Sequence, residues 1–394
     1  MSKFNSGFRV IVVGGGVAGV CAGIFCGDDS CLLERNGGVG KKMLISGSGQ
    51  CNLTHGGNIA DFLQHYGNPK KANFVKPSLY SFDNIAVSDF FGSHGVPVIE
   101  REDGKIFPRS KKSSDLLNVL VNCVCGEILT GVVVEEVVRT DAVFLVRTNV
   151  NDFLTDNIIL ATGGNSYPTT GSKGDGFNFA KSLGHTIIQP RPALVPIIVQ
   201  NFKFADSAGT TFLQVDIELR RNGKKIISKK GDVLFTHRGL SGPGILDVSR
   251  YVESLDEVRI IIFDSRSDAE IFSGKKSLKN ALANSGIPSR FVIQLLNVLE
   301  ISPDLPASET PREVRKKLAA VSFIVDKTSG WNESMVTAGG VAIDEVNRHT
   351  LESKLVKGLF FAGEILDVDG DCGGYNIQFA MSSGKLAGTS AAKK

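Results

Sequence analysis

Residues with the means to do chemistry gather early, within residues 8–34. Gly14, Gly16 and Gly19 stand in G-x-G-x-x-G spacing directly after the apolar run 9–13, and Glu34 closes a second apolar run 20 positions beyond Gly14. Each has a physical use in a strand–turn–helix unit. Gly14 permits the tight turn, Gly16 lets the backbone approach a pyrophosphate, and Gly19 lets the helix pack close to the strand. Val17 and Ala18 fall in the first turn of that helix, where free N–H groups and a partial positive charge meet phosphate oxygens. A carboxylate at position 34 can accept hydrogen bonds from the hydroxyls of an adenosine ribose, which favours FAD or NAD over NADP. The following stretch, 35–54, is rich in glycine and serine, so its amides are open to a ligand, and Lys41 and Lys42 could face phosphate. His237 stands in a distinctive turn, 236–243, and imidazole titrates near neutral pH, which makes it the first candidate for an acid or base. Tyr167 and Asp175 rank behind it.

These residues need elements to hold them. Runs 9–13 and 157–160 are short and apolar and lead into glycines, as buried parallel strands do. Residues 76–95 predict a helical region burying Leu79, Phe82, Ile85, Val87, Phe90 and Phe91, and 114–123 predict another helix. Residues 127–129, 132–139 and 143–148 alternate like an antiparallel meander. Composition shifts at 189–192. From 193 to 263 the pattern predicts strands at 195–199, 213–220, 225–227, 233–235 and 257–263, with Asn222-Gly223 as a hairpin turn. The cations around that hairpin (Arg220, Arg221, Lys224, Lys225, Lys229 and Lys230) read as a charged sheet edge rather than a patch for nucleic acid or anionic lipid. Stretches 268–284, 289–299 and 310–321 have helical patterning. Residues 355–362, ending in Gly363 and Glu364, repeat the strand-then-turn logic of the N-terminus. Residues 376–387 predict a helix whose N-terminus would stabilise negative charge on a ligand ring.

Composition narrows the class. A length of 394 residues suits two or three domains. A net charge of only +3 gives no reason to expect a nucleic-acid partner. Seven scattered cysteines without a C-x-x-C fit reduced thiols in a cytoplasmic protein, and predict neither a metal site nor a disulfide framework. The one long uncharged stretch, 10–27, is glycine-rich and followed by Asp28 and Asp29, so neither a membrane span nor a leader is expected.

Several separated motifs carry a resemblance. They are GGGVAG at 14–19, GKKMLISGSGQCNLT at 40–54, FPRS at 107–110, ATGGNSYPTTGSKGDG at 161–176, LFTHRGLSGP at 234–243, TAGGV at 337–341 and GLFFAGEILDVDGDCGGYNIQFAMSSG at 358–384. In this order the chain resembles the FAD-dependent flavoproteins of the BaiN type, also described as aminoacetone-oxidase-like or NAD(P)/FAD-dependent oxidoreductases of bacteria. The resemblance implies an α/β fold: a discontinuous Rossmann-like FAD-binding domain over 1–189 and 338–394, an inserted β-barrel-like domain over 190–267 and 321–337, and a small helical insert over 268–320. It implies that Lys42, Ser46, Gly47, Gly49, Cys51 and Asn52 line the cofactor, with Arg35, Thr162 and Gly163 completing that lining. Gly363 and Glu364 would meet its ribitol and pyrophosphate, and Gly374, Tyr375, Asn376 and Ile377 the pyrimidine end of the flavin. Two positions depart from the family pattern: Gln50 stands where the family carries Arg, and Arg238 where it often carries Phe.

The expected activity is hydride transfer between flavin N5 and a small or medium organic substrate, entering between the FAD domain and the inserted barrel. With no second complete G-x-G-x-x-G, NAD(P)H is expected as a transient visitor at most, with oxygen as another partner. The alternative is a non-enzymatic flavoprotein, a redox sensor or scaffold with structural FAD. An RNA-modifying flavoprotein using the basic hairpin ranks lower.

Overall fold

The computed structural model describes residues 4–263 and 270–393. Residues 264–269, where the sequence puts the boundary between barrel and helical insert and the start of the 268–284 helix, lie outside them. The chain divides into two compact units: Met1–Pro192 with Met335–Lys394, and Ala193–Ser334.

The first unit is built on a seven-stranded sheet. Glu127–Thr130, Ser30–Glu34, Phe4–Val13 and Asp152–Leu160 lie side by side and parallel, and Leu359–Phe361 pairs with the far edge of the last of these. Val10, Ile11, Val12 and Val13, and Cys31, Leu32 and Leu33, are all buried, because helices and loops cover both faces and leave no side for polar residues. Asp152–Leu160 serves two partners along one edge: residues 153–155 pair antiparallel with Phe144–Thr148, and residues 158–160 pair parallel with Leu359–Phe361. Val134–Arg139 continues the antiparallel side. The meander expected for 127–148 is thus corrected at its start: Glu127–Thr130 leaves it and runs parallel to Ser30–Glu34 at the sheet edge. Four residues are too few for alternation to reveal strand sense.

The first helix, Val17–Phe25, packs on the C-terminal helix, Tyr375–Ala392, with backbone nearly touching backbone. A Cβ on Gly384 or Gly388 would sit 2.4 or 2.5 Å from the carbonyl oxygens of Ala18 and Ala22. The helical region expected at 76–95 is two helices, Pro69–Ser81 and Asn84–Ser93, because the Asp83 carboxylate accepts from Ala86 N at 2.8 Å and caps the second. Leu79, Phe82, Val87 and Phe91 are buried, but Ile85 is 64% exposed. The break at 82–83 takes the second helix out of phase with the first, so Ile85 faces outward and not into the core as its spacing predicts.

The second unit holds a closed barrel of six strands, in the order Ile197–Val199, Gly239–Ser241, Lys224–Phe235, Thr211–Arg221, Glu257–Ile261 and Ala320–Thr328, the last pairing back to the first. Every neighbour is antiparallel. Asn222 and Gly223 turn the long hairpin at φ +51° and +75°. The expected strands 225–227 and 233–235 are one continuous strand. Phe204, Phe212, Phe235 and Phe323 surround Phe291 or one another with ring centroids 4.8 to 6.0 Å apart. Phe291 comes from the helix Ser289–Val298, so the helical segment and the barrel share one apolar core. No helix among the described residues is long and apolar enough to cross a membrane.

One buried polar cluster in the first unit has a thermodynamic signature. The His185 side chain is fully buried, with Nδ1 3.1 Å from Glu345 Oε2 and Nε2 2.8 Å from Ser353 Oγ. Burial pushes its pKa below the ordinary 6.5, against the opposing pull of Glu345. The unfolded chain therefore binds the extra proton first as pH falls. The stability contributed by neutral His185 is complete above pH 6.5 and drains away below it, through the lowered folded value. Between about pH 7 and about pH 5, urea midpoints of the wild type should fall more steeply than those of His185→Gln. Parallel slopes in the two proteins would show that this histidine is not the titrating group.

Candidate functional site

The first strand ends at Gly14, whose N–H donates to Leu33 O at 2.9 Å and whose φ is +105°. A Cβ there would lie 2.6 Å from Ala161 O, so both the turn and the neighbouring strand demand glycine. Gly19 is demanded by packing alone, since its Cβ would lie 1.8 Å from Gly14 O. Gly16 is different. It sits at φ −74° and ψ −178°, which any residue adopts, and a Cβ would meet nothing within 4 Å. Neither strain nor packing within the chain explains glycine there. Gly16 is also the N-cap of the first helix, with no capping side chain and no acidic residue in the first turn. The amides of Val17, Ala18 and Gly19 thus open onto a space that a side chain would fill, as suits a phosphate.

Glu34 ends the neighbouring strand and is only 7% exposed. It accepts from Gly15 N at 2.7 Å, Asn36 N at 2.7 Å and Asn36 Nδ2 at 2.6 Å. These bonds fix the carboxylate beside the glycine turn and leave lone pairs for a sugar hydroxyl. Arg35 turns its guanidinium to Asp175, at the start of the helix Asp175–Ser182.

The second motif forms a short helix, Lys41–Ile45, and a tight turn through Ser46–Gly49. Gly47 and Ser48 are left-handed, at φ +54° and +57°, and so is Cys51, at +59°. Cys51 is fully buried and its thiol is pushed up to about 11 by burial, so it is a structural group and no nucleophile. The Ser46 hydroxyl donates to Met43 O at 2.7 Å and holds the turn. Lys42 Nζ reaches Glu364 Oε2 at 2.6 Å and also contacts Ser166 Oγ. Glu364 further accepts from Ser166 Oγ and, at 2.8 Å, from Thr337 N. Lys42 is therefore committed first to a carboxylate of the tail. Beside it, at the exit of Asp152–Leu160, Thr162 Oγ1 and Asn165 Oδ1 are buried without a hydrogen-bond partner among the described residues. Such orphan atoms fit the edge of a polar ligand. Gly163 follows at φ +73°.

The tail closes the same place. Gly363, at φ +73°, lies so close to the first helix that its Cβ would be 2.6 Å from Ala18 Cβ. The C-terminal helix starts from Gly374, at φ +101°, a residue with no side chain to cap it, which puts the amides of Tyr375, Asn376 and Ile377 at the helix mouth. A Cβ on Gly374 would lie 2.5 Å from Thr54 O, and the Asn52 amide spans Thr54 O and Gly374 N at 3.0 and 3.1 Å. The Asn376 side chain staples the preceding loop, accepting from Gly370 N at 2.8 Å and donating to Gly370 O at 3.0 Å. Lys71 holds that loop through Asp367 and Asp369, at 2.7 and 2.9 Å. His65 contacts Asp371 and stacks on Tyr375. Lys71, His65 and His55 were not singled out as site residues from sequence. His55 directly follows the second motif, a clue of position; the other two carry no local signal.

The glycine turn, Glu34, the second motif, Thr162, Gly363, Glu364 and the helix mouth are thus tied together within the first unit. His237 belongs to the second unit. It is exposed, and among the described residues its ring makes no hydrogen bond. It lines a cavity of about 230 Å³ with Pro196, Ile197, Thr236, Arg238 and Glu333.

Comparison with known proteins places these features in context. The family described as the HI0933-like protein Rossmann domain matches residues 8–390. The chain is 32% identical over 415 residues to the 3-dehydro-bile acid delta(4,6)-reductase of Clostridium scindens, covering 98% of this chain and 99% of that one. It is 29% identical over 402 residues to the ribosomal RNA dihydrouridine synthase of Haemophilus influenzae, covering 97% of each. Among solved structures, 3-ketosteroid delta1-dehydrogenase from Sterolibacterium denitrificans, in complex with 1,4-androstadiene-3,17-dione, aligns over 100% of both chains at 10% identity with a TM-score of 0.50, a likeness of fold.

The two glycines give a paired test. Gly16→Ala should change the stability of the coenzyme-free chain by no more than about 1 kcal/mol while lowering its FAD content. Gly19→Ala should destabilise the chain with or without FAD. Thermal melts of the stripped proteins, beside FAD absorbance of the purified ones, check both, and equal FAD retention in Gly16→Ala would remove the pyrophosphate from that turn.

Proposed function

We propose a function from one premise: the chain belongs to the HI0933-like Rossmann-domain family. The protein is an FAD-dependent oxidoreductase. Its reaction, in our reading, is reduction of a carbon–carbon double bond conjugated to a carbonyl in a small or medium organic substrate. The observation that carries the coenzyme assignment is Gly16, an unstrained, unobstructed glycine at an uncapped helix start. The bond type is supported by the relatives' names. One saturates ring double bonds of a 3-dehydro bile acid; the other makes dihydrouridine, which is uridine with its conjugated ring double bond saturated.

In this reading Gly14, Gly16, Val17, Ala18 and Gly19 hold the pyrophosphate, and Glu34 holds the adenosine ribose. Lys42, Ser46, Gly47, Gly49 and Asn52 line the coenzyme on one side, Thr162, Gly163, Gly363 and Glu364 on another. The amides of Tyr375, Asn376 and Ile377 steady negative charge at the pyrimidine end. When bound, FAD supplies the hydride, and the chain's own part is to bind, orient and supply a proton. NAD(P)H visiting transiently is the proposed source of electrons. The reading of FAD as purely structural is not favoured, since a full-length relative at 32% identity is a reductase.

A second reading, reduction of a base in RNA, has the Haemophilus influenzae relative in its favour. The basic hairpin speaks against it. Arg221 is committed to Asp256 at 2.8 Å and Glu253 at 2.7 Å, and Arg220 and Lys225 face Glu218 at 3.3 and 3.8 Å. Arginines and a lysine that already face carboxylates offer less to a phosphate backbone than free cations would.

The purified protein should carry FAD that NAD(P)H or dithionite bleaches. A 3-oxo-4,6-diene bile acid should restore the oxidised spectrum anaerobically, and a ribosomal RNA fragment should not. Restoration by the RNA alone would favour the second reading, and restoration by neither would defeat the proposed bond type.

A further inference from the structure

Three aromatic rings meet where the C-terminal helix begins. The Tyr375 ring lies 4.1 Å from that of His65, 13° from parallel, and 5.3 Å from that of His55, 15° from parallel. The two histidines are held differently. His55 Nδ1 is turned to Gly56 O at 3.0 Å, and the ring edge packs so tightly on Gly104 that a Cβ there would lie 2.2 Å away. His65 Nδ1 instead faces Asp371 Oδ2 at 3.1 Å, and Asp371 N donates to His65 O at 2.9 Å. Side chain and backbone thus fix the same pair across 306 positions of sequence. The Asp371 side chain is 9% exposed and that of His65 is 30% exposed. Among the described residues His65 Nε2 has no hydrogen-bond partner, so the far nitrogen is open while the near one is held by a carboxylate. This is how an acid histidine is oriented.

We propose that His65, oriented by Asp371, is the acid that protonates the substrate during reduction of its conjugated double bond. The proposal rests on the bond type argued under Proposed function. The substrate's β-carbon takes hydride from the reduced coenzyme as the π bond breaks, and the electron pair shifts toward the carbonyl. The α-carbon then takes the proton of His65 Nε2, whose N–H bond breaks, and solvent reprotonates the imidazole. The substrate gains the two electrons that the coenzyme loses, and NAD(P)H or dithionite replaces them.

The neighbouring ionisable groups are compatible with this role. Lys71 is already compensated by Asp367 and Asp369, which leaves Asp371 as the carboxylate facing the ring. Tyr66, whose hydroxyl donates to Tyr375 O at 2.8 Å, is kept protonated by burial, with Tyr375 and Asp371 adding to the upward push. It competes for no proton near neutral pH.

The test uses FAD-loaded wild type, His65→Gln, Asp371→Asn and His237→Gln, reduced with dithionite and mixed with a 3-oxo-4,6-diene bile acid across a pH series. His65→Gln should keep its FAD, slow by about 10²-fold and lose the limb of the pH–rate profile that falls toward alkaline pH. Asp371→Asn should also keep its FAD and slow turnover, by less than His65→Gln, because the ring loses its orienting partner. In the substrate-free protein, the ring nitrogen NMR signals of His65 should show Nδ1 as the hydrogen-bonded nitrogen in the wild type, an arrangement lost in Asp371→Asn. Wild-type turnover with an unaltered His65→Gln profile would overturn this assignment alone, as would a limb removed only by His237→Gln. A wild type that never reoxidises with the probe would overturn the bond type and this assignment together.

Discussion

Gly384 and Gly388 let the last helix settle onto the carbonyls of Ala18 and Ala22, and Gly363 lies against the Ala18 methyl. Contacts this short admit no side chain larger than hydrogen. They bring the end of the chain to its beginning and form one site from segments more than 300 residues apart. The first helix alone offers amides for a phosphate. Only with the tail packed on it does a second helix mouth, at Gly374, stand in the same unit. Close packing of backbones leaves little freedom, so the position of that mouth is set by van der Waals contact rather than by flexible side chains.

Charge compensation does the finer positioning. Lys42 reaches Glu364 across 322 residues, and Glu364 also takes the Thr337 amide and the Ser166 hydroxyl. Lys71 gathers two aspartates of the tail loop, and the third faces His65. A half-buried charge is tolerable only with a partner, so each pair fixes a loop that has no regular hydrogen bonding of its own. Burial pushes the Lys71 pKa down, but the two carboxylates more than offset it and keep the ammonium charged. The loop carrying these acids, 367–374, is therefore held by ions on one side and by the Asn376 amide on the other.

The second unit follows another rule. Its barrel is closed, so no edge is exposed along the pairing path, and its interior is filled by phenylalanines from strands, from the loop at Phe204 and from one helix. Three of its hairpin cations, Arg220, Arg221 and Lys225, face nearby carboxylates.

Much of the first unit was legible in the sequence because its causes are local. A glycine that turns a strand into a helix, a run of valine and isoleucine and an acid at the next strand end are short-range requirements, and they point to a dinucleotide wherever they occur together. The sequence by itself determined that much, and the hairpin at Asn222-Gly223 as well. Only the tertiary structure decided that residues 127–130 join the sheet in parallel, that Ile85 faces outward, that Lys42 is paired with Glu364, and that His65 meets Asp371 and Tyr375. The reason is physical: strand sense, helix phase after a break and ion pairing across hundreds of residues depend on which surfaces meet, and no periodicity along the chain records that.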